Sequence, residues 1–191
     1  MIIEQLNLNC HSSDETLILA AGRGDTRAFS EVVRRHQQWA WQIAHRFCGD
    51  EHEAADIVQE AFLNVFAASG RYKSQAKFRT YFYRIITHIC IDKARKKSPC
   101  FMANIPEFTE KGKSAAEFME HEETARTVRK ALDGLCPAQR LAVIFRYYEE
   151  LSYKEIAAAL STTPKAVEGL LTRARQHLKT SLVSKIYFEG D

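Results

Sequence analysis

"LSYKEIAAALSTTPKAVEGLLTRARQHLK", residues 151–179, decides how the rest of the chain reads. Ile156, Ala157 and Leu160 recur at helical spacing, and the polar run Ser161-Thr162-Thr163 then interrupts the pattern. A small hydroxyl residue suits a helix N-cap, and Pro164 suits the first turn, where a helix leaves its N–H groups unbonded anyway. Val167, Leu170 or Leu171, and Ala174 form the next apolar stripe. Two short helices across a tight polar turn make a helix-turn-helix, and the alanines at 157 to 159 let the pair cross closely.

The charges of this stretch fit DNA. Over 152–180 five bases (Lys154, Lys165, Arg173, Arg175, Lys179) stand against Glu155 and Glu168. Such cations suit phosphate contacts, which place a protein on a duplex without reading its sequence. A helical hairpin with a solvated basic edge fits the same residues.

Outward from this unit, almost every periodic segment is helical and none alternates as a strand does, so the fold class is all-α. A first helix starts at the Ser13/Asp14 cap and breaks at Gly22 and Gly24; a second runs from near Asp25 to a stop at Gly49. The third, from about Asp50 to Ser69, carries Ala54, Ile57, Val58, Ala61, Phe62, Val65 and Phe66 as one stripe. Asp56, Gln59, Glu60 and Asn64 then share the opposite side. A fourth covers about Phe78 to Lys97, with Phe82, Ile85, Ile86 and Ile89 inward. Residues 98–117, "SPCFMANIPEFTEKGKSAAE", hold two prolines, a glycine and no sustained stripe, and read as a linker. Helices from Phe118 to about Leu135 and from Pro137 to about Glu150 follow, and the last runs to roughly Leu182. The expected organisation is two small helical domains, 14–97 and 118–182, joined by a flexible tether.

The net charge of +3 conceals a split. Between Asp50 and Ala67 lie five acids and no Lys or Arg, whereas Arg71 to Lys97 carries nine bases against Asp92 alone. Separate partners for the two segments, or two solvated helix faces, account for this equally well. The basic segment, "RYKSQAKFRTYFYRIITHICIDKARKK", interleaves Tyr72, Phe78, Tyr81, Phe82 and Tyr83 with its cations. Single-stranded nucleic acid is held by that combination, since cations track the backbone while rings stack on bases at roughly 1–3 kcal/mol each. Phe82 is expected in the core, with Phe78, Tyr81 and Tyr83 as stacking candidates; Tyr81, Arg84, His88 and Arg95 fall near one face. Aromatic clusters also build cores, which is the competing reading.

Other classes are poorly served. No apolar run approaches the roughly 20 residues of a membrane span, and "MIIEQLNLNC" lacks the basic start of a signal peptide, so a cytoplasmic protein is expected. Cys10, Cys48, Cys90, Cys100 and Cys136 are odd in number and without a C-x-x-C pair, which argues for reduced thiols. His45, Cys48 and His52 have ligand-like spacing, but Gly49 and Asp50 break the helix between them and no fourth ligand follows, so no metal is expected. With no glycine-rich phosphate loop and no nucleophile-base set, neither an enzyme nor a cofactor nor a small-molecule substrate is expected.

Taken together, the motifs resemble the extracytoplasmic-function (ECF) sigma factors, promoter-recognition subunits of bacterial RNA polymerase. "GDTRAFSEVVRRH" resembles the family's opening helices, "AADIVQEAFLNVF" its polymerase-binding helix and "FRTYFYRIITHICIDKARKK" its promoter-melting segment. "LDGLCPAQRLAVIFRYYEELSYKEIAAAL" with "AVEGLLTRAR" resembles its second DNA-binding unit. The likeness runs from about Asp14 to Leu182, the linker excepted.

The resemblance implies roles. Asp56, Gln59 and Glu60 match the family's Asp-x-x-Gln-Glu pattern and, with Asn64, would dock on the clamp helices of core RNA polymerase. Lys73, Lys77, Phe78, Arg79, Tyr81, Tyr83, Arg84, His88 and Arg95 would hold the melted minus-ten strand. Lys154, Thr163, Lys165, Glu168, Gly169, Thr172, Arg173 and Arg175 would meet the minus-thirty-five duplex. The linker would thread the polymerase's channels, and an anti-sigma protein, often membrane-anchored, would hold the factor inactive, at the inner membrane where so anchored. This sequence departs from the family at His88, where Asn is frequent, at Tyr81, where Trp is usual, and at Glu168, Gly169 and Leu170, which replace basic and serine residues. The alternative is a helix-turn-helix regulator that binds DNA by itself and dimerises.

Overall fold

A computed structural model describes residues 12–72, 77–97 and 128–188. The linker at 98–117, residues 118–127 of the expected next helix, and Lys73 lie outside them. The chain divides into two compact units, Met1–Cys90 and Ile91–Asp191, so the division falls within the fourth helix.

In the first unit, α1 (Asp14–Ala21) begins where the Ser13 side chain accepts from the Thr16 N–H. α2 (Thr26–Cys48) begins where Asp25 accepts from the Arg27 and Ala28 N–H groups, and it ends at Gly49 in the left-handed region (φ 75°). α3 (Glu51–Ala68) is capped by Asp50, and a 3₁₀ turn (Ser69–Arg71) follows. Each cap satisfies a helix N–H that has no partner within its own helix, which is why these short polar residues mark the starts. Gly22 is required by close approach, since a Cβ there would lie 2.5 Å from the Ser69 carbonyl oxygen.

α4 (Phe78–Lys97) follows, and its residues up to Cys90 close this unit. Phe78 and Phe82 are fully buried, their rings 5.5 Å apart, and Phe62 of α3 lies 4.9 Å from Phe82. His36 and Trp39 of α2 complete the cluster, at 5.2 Å from Phe78 and 5.7 Å from Phe82. The α3 stripe mostly faces inward as the periodicity requires, but Val58 is half-buried and Phe66 is 45% exposed at the stripe's edge, against Phe29. α1 is tied to α2 by Asp14, which accepts from Arg35 Nη1 at 3.1 Å and pairs with His36 Nε2 at 2.8 Å. Glu31 sits between Arg34 and Arg35, whose hydrogen bonds bring its pKa down to about 2.

In the second unit, helical residues 128–133 lead to α5 (Pro137–Tyr147), shorter than the sequence pattern suggests. α6 (Tyr153–Ala159) opens with a capping box, the Ser152 hydroxyl accepting from the Glu155 N–H and the Glu155 carboxylate from the Ser152 N–H. α7 (Pro164–Phe188) runs past Leu182. The turn between α6 and α7 places Ser161 at φ 52°, outside the range most side chains favour. Leu141, Ile144 and Phe145 of α5, Ile156 and Ala159 of α6, and Val167, Leu171 and Ala174 of α7 share the core. The small contribution of α6 is the reason α7 can pack across it.

Candidate nucleic-acid interface

Three exposed faces carry the sequence-predicted residues. On α3, Asp56, Gln59, Glu60 and Asn64 are all exposed. Leu63 lies on the same face at 60% exposure, and Gln59 borders a groove of about 340 Å³ between α2 and α3 that Trp41 and Val58 also line. Neither Leu63 nor Trp41 was among the expected site residues. Leu63 falls seven positions after Asp56, so the helical period places it there; the groove needs α2 and α3 packed together before it exists.

On α4, Arg84, His88 and Arg95 are exposed and follow Tyr81 at helical spacing. Arg95 reaches Asp92 at 3.6 Å, with both side chains largely in solvent, so the pair leaves the cation accessible. Tyr81 is half-buried, its ring 5.4 Å from Tyr72, and burial raises the pKa of both phenols. Both therefore stay protonated near neutral pH, each with a hydroxyl that donates or accepts. The expectation of open stacking faces on Phe78 and Tyr83 is corrected here. Phe78 is 0% and Tyr83 3% exposed, because the α4 face that holds Phe82 is wide enough to take both rings against His36 and Trp39. Arg79 stays exposed, its guanidinium 4.8 Å from the Trp39 ring centroid, a cation–π contact. Lys77 is exposed at the start of the helix.

On α7, Lys165, Glu168, Thr172 and Arg173 form an exposed row, with Gly169 half-buried among them. A Cβ at Gly169 would lie 3.7 Å from the Arg173 guanidinium, an ordinary contact, so Gly169 is not required by packing. Two of the expected DNA residues have local bonds. The Thr163 hydroxyl accepts from the Ala166 N–H at 3.2 Å as a cap, and the Thr172 hydroxyl donates to the Glu168 carbonyl at 2.9 Å. Arg175 turns toward α5, where its Nε donates to the Tyr147 hydroxyl at 3.0 Å; hydrogen bonds that it donates to Tyr147 and Tyr153 raise its pKa. Tyr147 is 54% exposed and lies 28 residues from Arg175, a pairing that no local pattern signals. Lys154 is exposed on α6.

The residues weighed for a metal have other company. His45 lies flat on Trp41 at 4.7 Å, and the Cys48 thiol donates to the Asp50 carbonyl at 3.3 Å. Among the described residues Cys48, Cys90 and Cys136 form no disulfide, and no helix is long and apolar enough to cross a membrane.

An acidic helix face beside a basic one, and a helix-turn-helix with an exposed polar row, define a helical protein made to meet both DNA and another macromolecule. The sigma-70 region 2 model matches residues 32–99 and the sigma-70 region 4 model matches 125–178. The ECF RNA polymerase sigma factor SigW of Bacillus subtilis is 29% identical over 171 residues, 84% of this chain and 91% of that one. The RNA polymerase sigma-H factor of Pseudomonas aeruginosa is 30% identical over 181 residues, 88% of this chain and 93% of that one. Among solved structures, CnrH in complex with the cytosolic domain of CnrY matches with a TM-score of 0.67 at 27% identity, covering 91% of this chain and 99% of that chain.

The chain belongs to the ECF family of RNA polymerase sigma factors. It is a transcription initiation factor that directs RNA polymerase to promoters, and not a regulator that works on DNA alone.

Proposed function

We propose that residues 14–97 form the unit that docks on core polymerase and melts the minus-ten element, that 118–182 form the unit that reads the minus-thirty-five element, and that 98–117 connect them. The observation carrying this reading is the charge division between two helices. α3 exposes Asp56, Gln59, Glu60, Leu63 and Asn64, while α4 exposes Arg79, Arg84, His88 and Arg95. The α3 face engages the polymerase's clamp helices, with Leu63 adding apolar contact among the polar groups.

The α4 face takes the non-template strand. Extruding a base costs a few kcal/mol, which stacking on Tyr81 and bonds from Arg84 and His88 offset. Lys77, Arg79 and Arg95, with Lys73 before them in sequence, follow the phosphates; Phe78 and Tyr83 contribute from the core by holding Tyr81 and Arg79 in place. In the second unit α7 enters the major groove, where Glu168 accepts from a cytosine amino group and Lys165, Arg173 and Arg175 hold phosphates. Lys154, the cap Thr163 and the mid-helix Thr172 frame that surface.

An anti-sigma protein holds the factor inactive in the cytoplasm, at the inner membrane where that partner is anchored. The relative CnrH, solved with the cytosolic domain of CnrY, supports this. Comparing membrane and soluble fractions before and after induction tests it, and an unchanged distribution would remove the tethering.

The main test is run-off transcription with core polymerase on a genomic fragment library, with mapping of start sites. Wild type should yield starts that share a two-part upstream motif, and Asp56→Ala with Gln59→Ala should reduce transcripts to background at unchanged helical content. Full activity in the double variant would remove the α3 face from the interface.

A further inference from the structure

Among the described residues, the start of α4 has no side-chain acceptor from its own helix. The Lys77 carbonyl accepts from the Thr80 and Tyr81 N–H groups at 3.0 and 3.3 Å, which makes Lys77 the N-cap residue. A lysine side chain has no acceptor to offer the free N–H groups, and no acidic residue stands in the first turn of α4. Two cations, Lys77 and Arg79, instead sit at the helix's positive end, where a negative group is favoured.

The missing acceptor comes from α1. Glu15 Oε1 accepts from the Phe78 N–H at 2.8 Å, across 63 residues of sequence, in a partly buried setting. That bond is the largest influence on the Glu15 carboxyl, which it holds below the ordinary carboxylate range. α1 is itself fixed at the neighbouring residue, where Asp14 bonds Arg35 and His36 of α2. A rigid chain of contacts therefore runs from α2 through α1 to the first residue of α4, one turn before Tyr81.

We propose that Glu15 is a positioning residue for minus-ten recognition, capping α4 from α1 and thereby fixing where Tyr81, Arg84 and His88 present their groups to the melted strand. This rests on the assignment of the α4 face to the minus-ten element. Glu15 touches no DNA in this account; it acts through the backbone of Phe78. Binding geometry at a base is sensitive to small shifts, so a frayed first turn blurs selectivity rather than abolishing binding.

The test uses full-length protein with core polymerase on a promoter found by start-site mapping, with the minus-ten and minus-thirty-five elements randomised in separate libraries. The readout is the ratio of transcripts between the best and the worst base at each position, which does not depend on the fraction of folded protein. Glu15→Ala should lower that ratio roughly fivefold at one or more minus-ten positions and leave the minus-thirty-five ratios unchanged. Glu15→Gln keeps an acceptor and loses the charge, so it should fall between wild type and Glu15→Ala. Fewer transcripts with unchanged ratios, or a glutamine variant indistinguishable from the alanine one, overturns the proposal. Absence of any minus-ten preference in wild type would instead overturn the underlying assignment, and this proposal with it.

Discussion

α4 and α7 are both assigned to DNA, yet they are built in opposite ways. α4 sinks three of its rings, Phe78, Phe82 and Tyr83, into the core and leaves Tyr81 half-buried beside exposed cations. Among its described side chains, α7 buries Val167, Leu171 and Ala174 and exposes a long polar row. Under the proposed assignment, the difference follows from the two targets. A flipped base needs a firm, partly desolvated surface to stack on, so its ring must be backed by other rings. A duplex groove needs side chains that extend into it, and a slim core side allows that.

The largest effects should separate the two kinds of ring on α4. Phe78→Ala should destabilise the protein by about 3–5 kcal/mol, the cost of a cavity at a fully buried aromatic position, seen as a lower denaturation midpoint. Tyr81→Ala should leave that midpoint almost unchanged and weaken binding of holoenzyme to a pre-melted minus-ten strand by about 1–3 kcal/mol. If Tyr81→Ala instead matched Phe78→Ala in lost stability, the two rings would belong to one core and the contrast with α7 would narrow.

The same contrast explains what the sequence disclosed. Helix starts were legible at Ser13, Asp25, Asp50 and the Ser161–Thr163 run because capping chemistry is local, and Ser13, Asp25, Asp50 and Thr163 bond as that chemistry requires. The helix-turn-helix was legible because its core positions are few and evenly spaced. The exposure of Phe78 and Tyr83 was misread, since interleaved aromatics and cations look alike whether the rings face bases or neighbouring helices; only α2, with His36 and Trp39 in place, decides it. Glu15 and Tyr147 were out of reach for a related reason. Their partners, Phe78 and Arg175, lie 63 and 28 residues away, beyond any local period.

On α7 the effects should be smaller and confined to sequence preference. Glu168 is exposed on the row that includes Lys165 and Arg173, free of any need to pack. Glu168→Ala should shift preference at one base pair of the minus-thirty-five element by about 1–3 kcal/mol and leave the denaturation midpoint in place. An unchanged promoter profile would return Glu168 to the solvated surface and weaken the idea that α7 reads bases with few contacts.

The smallest effect tests whether α7 borrows any of the backing that α4 has. Arg175 donates Nε to the Tyr147 hydroxyl and is also hydrogen-bonded to Tyr153, so its guanidinium is held in place at the surface. A fixed guanidinium loses less freedom on meeting a phosphate than a mobile one. Tyr147→Phe removes the acceptor and keeps the ring, and should weaken duplex binding by about 0.5–1.5 kcal/mol. Because the charge of Arg175 survives, the salt dependence of binding should not change, whereas Arg175→Ala should lower its slope by about one phosphate contact. A change of slope in Tyr147→Phe would mean that the tyrosine decides whether Arg175 reaches the phosphate at all, and α7 would then depend on its neighbours as closely as α4 does.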